Sequence, residues 1–62
     1  MKIDKFWVVT RPGPKSLLVD IVFETDVLGL SRQFRGGLDP ADIVALYTSE
    51  MEALNAGHDL LP

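Results

Sequence analysis

The sequence predicts an α+β fold: a small β-hairpin packed against one short and one long C-terminal helix, in the order ββαα. Three observations support this. Residues 3–10 are a run of aromatic and β-branched types, which favour a pleated, half-buried strand. Arg11-Pro12-Gly13-Pro14-Lys15 interrupts regular structure, and a second apolar run follows over residues 17–24. The last third opens on Asp39-Pro40-Ala41-Asp42, which reads as a helix start: a capping carboxylate, then proline at the first helical position.

In the first strand Ile3, Trp7 and Val9 share one face, and Phe6 and Val8 share the other. Two prolines around a glycine continue neither helix nor strand, so a turn follows. In the second strand Leu17, Val19, Ile21 and Phe23 point one way and Leu18, Asp20, Val22 and Glu24 the other. A short connection between strands implies antiparallel pairing. The hairpin is then apolar near its centre on both faces, whereas a sheet with one wet side is polar there. The second face, through Phe6, Val8, Leu18 and Val22, is therefore a candidate interaction surface.

Residues 26–35 read as the short helix. Thr25 or Asp26 is its N-cap. Val27, Leu30 and Phe34 recur at i, i+3 and i+7, and Gly36-Gly37 ends it. Gly29 inside costs about 1 kcal/mol relative to alanine. The alternative is a third strand over 27–35, giving βββα. Residues 40–56 read as the long helix, capped by Asp39, with Ile43, Val44, Tyr47, Met51 and Leu54 as its apolar stripe. Asp42, Ser49 and Glu52 lie opposite the stripe. Leu46 falls on the flank and is a candidate contact to something outside the domain. Gly57 is the stop signal, and 58–62 is expected to fray.

Sixty-two residues make a single domain, and a chain of this length buries only about 60% of its unfolded surface. There is no cysteine and one histidine, which excludes disulfides and any thiolate or histidine-rich metal site. Hydrophobic residues still make up 47% of the chain, with a mean hydropathy of +0.17. A marginal domain without staples gains stability by associating with itself or with a partner. No leader is visible at the N-terminus, and no stretch approaches the ~20 apolar residues of a membrane span. The expectation is a cytoplasmic protein. The initial methionine leads to the further expectation of a complete small reading frame.

Charge is divided along the chain. Residues 1–37 hold six basic and four acidic side chains, a balance of +2, whereas the rest holds Asp39, Asp42, Glu50, Glu52 and Asp59 and no base. The resemblance of residues 26–56 to a helix-turn-helix is superficial, because the second helix would carry acids toward phosphate. Phe6 and Trp7 among Lys2, Lys5, Arg11 and Lys15 are a thin version of an RNA-reading sheet.

No catalytic set is evident. His58 lies beyond the expected helix end, and no serine or threonine has a sequence partner that would activate it. The acids read as solvated or capping, with no loop spacing that fits a hard cation. Arg32 and Arg35 are placed to complement a helix C-terminus and are also candidates for contact with an anion or an acidic protein. Gly36-Gly37 lacks the pattern of a phosphate loop.

The expectation is thus a small interaction protein and not an enzyme, with no cofactor, metal or small-molecule substrate. It would act as an accessory, inhibitor or assembly factor, with itself as a homodimer or with another protein. A phage or mobile-element accessory protein fits that description. The alternative is a nucleic-acid-associated regulator using Arg11, Lys15, Arg32 and Arg35.

Overall fold

The computed structural model describes residues 4–61. Seven elements follow one another: β1 (Phe6–Thr10), α1 (Leu18–Ile21), β2 (Val22–Thr25), α2 (Val27–Arg35), a 3-10 turn (Pro40–Asp42), β3 (Ile43–Tyr47) and α3 (Glu50–Leu60). The class is α+β, as expected, but the ββαα order is replaced by three strands and three helices.

The strands form one antiparallel sheet in the order β2-β1-β3. The central strand is the aromatic and β-branched run, although its expected start at Ile3 lies outside the described residues. Val9 pairs with Val22 on one side and with Ala45 on the other. Trp7 likewise lies between Glu24 and Tyr47, and Val8 between Phe23 and Leu46. Beyond Val9 the register slips, so that Thr10 meets Ile43 and Val44 is left as an extra residue. This is a β-bulge.

The second strand is shorter than expected. Leu17 to Ile21 do not continue an alternating strand but wind into the single turn α1. The Leu17 N–H donates to Asp20 Oδ2 at 2.7 Å, and the Asp20 N–H donates to the Leu17 carbonyl at 3.0 Å. One helical turn changes the spacing of the buried positions from i, i+2 to i, i+3, i+4. Leu18, Ile21 and Val22 turn inward, while Leu17 and Val19 point to solvent, Val19 being 78% exposed.

Helix α2 forms where expected. The Gly29 N–H donates to Asp26 Oδ1 at 2.7 Å, which satisfies one of the orphan donors of the first turn. Gly29 is explained by its neighbours, since a Cβ there would collide with Thr25 Oγ1. Leu30 and Phe34 are half-buried, but Val27, expected on the same face, is exposed. Asp26→Ala is expected to lower stability by about 0.5–2 kcal/mol through loss of the cap. Chemical denaturation would measure this, and an unchanged midpoint would mean that the side chain contributes no cap.

The long helix over 40–56 is not formed. Asp39 does cap, its Oδ1 accepting the Ala41 N–H at 2.9 Å, but what it caps is the 3-10 turn. The chain then extends into β3. Helix begins only at Glu50, with the Ser49 side chain accepting the Glu52 N–H at 3.5 Å. Met51, expected on an apolar stripe, is 72% exposed. Gly57 does not stop the helix; it is buried within α3, and the expected fray at 58–60 is the helix's last turn.

Helix α3 lies across one face of the sheet. The buried core is Val9, Ile21, Val22 and Ala53, with Trp7, Leu18, Tyr47, Leu54, Leu60 and Leu61 packed around it. Leu60 and Leu61 dock against this core, so these two positions are not frayed as expected. The molecule is a slab, with principal extents of 35 × 26 × 16 Å.

Candidate interaction surface

Alternation along β1 sends Trp7 and Val9 toward α3 and Phe6 and Val8 to the opposite face. The register carries this division across the sheet, so Val8, Phe23 and Leu46 form a row on the side away from α3. Helix α2 packs against β2, the strand at one edge of the sheet. At the other edge β3 has no strand beyond it among the described residues. Its outward N–H and C=O groups therefore form an open pairing template.

Edge and face together form an apolar surface. Leu46 is 54% exposed and Val44 is also open to solvent. Beside Leu46 lies a shallow depression of about 230 Å³ lined by Phe6, Leu46, Tyr47 and Thr48. No residue from Ile43 to Thr48 carries a charge, and none is proline or glycine.

The residues singled out from the sequence divide into three groups. Phe6, Val8 and Leu46 lie on the side of the sheet away from α3, but only Phe6 and Leu46 line the depression; Val8, in the central strand, is fully buried and is corrected from a surface to a core residue. Leu18 and Val22 belong to the opposite side, packed into the α3 core, with Val22 only 6% exposed. They are corrected from surface to core residues, because Val22 pairs with Val9, which faces α3, and Leu18 lies four positions earlier on the same side. Arg32 and Arg35 are exposed in the last turn of α2, where they complement the helix dipole. Leu46 reaches solvent as an edge-strand residue and not from the flank of a helix.

Val44, Tyr47, Thr48 and the β3 edge itself were missed. The signal for them is the run Ile43-Val44-Ala45-Leu46-Tyr47, mostly β-branched and aromatic, bounded by Asp42 on one side and Thr48-Ser49 on the other.

Every buried side-chain nitrogen or oxygen among the described residues has a hydrogen-bond partner; Thr10 Oγ1 donates to the Ile21 carbonyl at 3.4 Å. His58 is exposed on α3. No three histidine, aspartate or glutamate side chains among the described residues are grouped to hold a metal ion. No helix among them is long and apolar enough to cross a membrane. Comparison with protein-family models, curated proteins and solved structures finds no match to this chain.

Proposed function

We propose that this chain is a protein-interaction module and not an enzyme. It acts as an accessory, inhibitor or assembly factor by occupying the surface of another polypeptide chain. The contact is made by the outer edge of β3 and the apolar surface beside it. The observation that carries this reading is the β3 edge: an uncharged strand with no strand on its outer side among the described residues, and with Val44 and Leu46 exposed next to the depression at Phe6. Natural sheets guard such edges with charge, proline or a covering element. An added strand gains main-chain hydrogen bonds there, while alternate side-chain sites supply selectivity.

Site-specific photo-crosslinking tests the proposal. A photoreactive residue replaces Val44 in one variant, Arg35 on α2 in a second and His58 on α3 in a third. Irradiation in an extract of the source cells is expected to join the Val44 variant to a protein chain, either a second copy or a different protein. The other two are expected to give little adduct. No adduct from position 44, or equal yields from all three, would refute the assignment of the surface.

A further inference from the structure

We infer that the chain seated on this surface is a second copy of the same protein, joined by antiparallel pairing of β3 with β3 about a two-fold axis. The inference rests on the interaction reading above and specifies its partner.

Three observations favour self-pairing. The first is exposed apolar surface at the edge: Leu46 is 54% exposed and Val44 47%, beside the depression at Phe6.

The second is the choice of edge. The outer strand at the opposite side, β2, is four residues long, carries Glu24 and has α2 packed on it. Among the described residues β3 is the edge left unguarded apart from its bulge. That bulge, at Val44, leaves Ala45–Tyr47 as the regular stretch.

The third is self-complementarity. A two-fold ladder centred on Leu46 sets Leu46 against Leu46 of the second copy on the open face, beside the two depressions. It also sets the small Ala45 against the large Tyr47 of the second copy, twice, on the face of α3. A two-fold interface requires a patch that fits itself in this way, and cross-strand pairs of this kind are the unit of sheet stabilisation. The combined sheet would have six strands with no long apolar edge exposed.

Charge gives the interface a signature. Asp42 and Glu50 flank β3, so an antiparallel ladder gathers acids of both copies at each of its ends. Like charges at an exposed rim repel, and salt screens them. The dimer should therefore tighten as salt rises, whereas a basic partner strand would bind more weakly.

Sedimentation velocity on the purified full chain tests this, from low to high micromolar and at low and high salt. A dimer is expected whose Kd falls with added salt. Leu46→Lys places two ammonium groups together at the centre and is expected to raise Kd about tenfold or more. Asp42→Asn removes a rim repulsion and is expected to lower Kd. Far-ultraviolet circular dichroism checks that each variant is folded. A wild-type chain that stays monomeric throughout overturns the inference, as does a dimer indifferent to Leu46→Lys. If the protein is monomeric yet position 44 crosslinks to a different protein, only the self-pairing falls. If it is monomeric and position 44 gives no adduct, the interaction reading falls with it.

Discussion

Ile21→Ala is expected to cost about 2–5 kcal/mol, whereas Val19→Ala, two residues away, is expected to change stability by no more than about 0.5 kcal/mol. Ile21 is among the largest fully buried side chains and packs with Val9, Val22 and Ala53 beneath α3. Truncating it removes apolar contact and leaves a cavity that a two-layer core can only partly close. Val19 is on the outer side of the same helical turn, with its side chain in solvent. The total stability of a chain this long is roughly 3–9 kcal/mol, so the first substitution removes a large part of it. Denaturant titration of both variants measures the difference. Equal losses would mean that Val19 and Ile21 share a face, as in a continuous strand, and that α1 is wrong.

Gly57→Val is expected to cost about 3 kcal/mol or more through overpacking. A Cβ on Gly57 would sit 2.5 Å from Val22 Cγ2 and 2.8 Å from Leu18 Cδ1. Leu18 can swing its terminal methyls aside. Val22 cannot, because its branch is at Cβ and its χ1 is restricted on the strand. Gly57→Ala combines two opposing effects: the helix gains about 1 kcal/mol in propensity, and the crowding costs about 1–3 kcal/mol. The alanine variant should therefore show a smaller net loss than the valine variant. Thermal or chemical midpoints of the two, against wild type, decide it. A stabilised alanine variant would show that α3 does not approach β2 as closely as described.

Gly57 also shows where the sequence misleads. A glycine after an apolar helical pattern suggests a stop, and nothing in the local sequence reveals that a strand from thirty-five positions earlier, at Val22, will lie against it. The central strand and α2 were legible because their determinants are local: an aromatic and β-branched run in one case, Asp26 and the paired glycines in the other. Leu17–Glu24 alternates well enough to be a strand, yet its buried residues also fit i, i+3, i+4. Asp20 decides between them by capping the Leu17 N–H. Residues 43–47 fit a helical stripe and a strand equally. The capping signal at Asp39 is real but closes only a 3-10 turn. The discriminating feature is Ser49 followed by Glu52 three residues later, the spacing of a capping box, which places the true helix start at Glu50. Phe6 and Val8 do share the side of the sheet away from α3, but Val8 is buried there, Leu46 reaches that side from a strand and not from a helix flank, and Val22 faces the core because its cross-strand partner is Val9.

The order of the strands has a consequence for how the sheet assembles. Val9 meets Val22 after thirteen positions and Ala45 after thirty-six. Closing the longer loop costs about 0.9 kcal/mol more in chain entropy. For equal pairing energies, β3 is then the last strand to dock and the first to leave, an order that amide hydrogen exchange can read. A detached Ile43–Tyr47 is a short apolar segment without charge or proline, the composition that seeds cross-β aggregation. Asp39 and Asp42 precede it, and Glu50 and Glu52 follow. Flanking charges of one sign act as gatekeepers against stacking of such segments. The wholly acidic character of the last third is in this light a solubility device for the interval before β3 is in place.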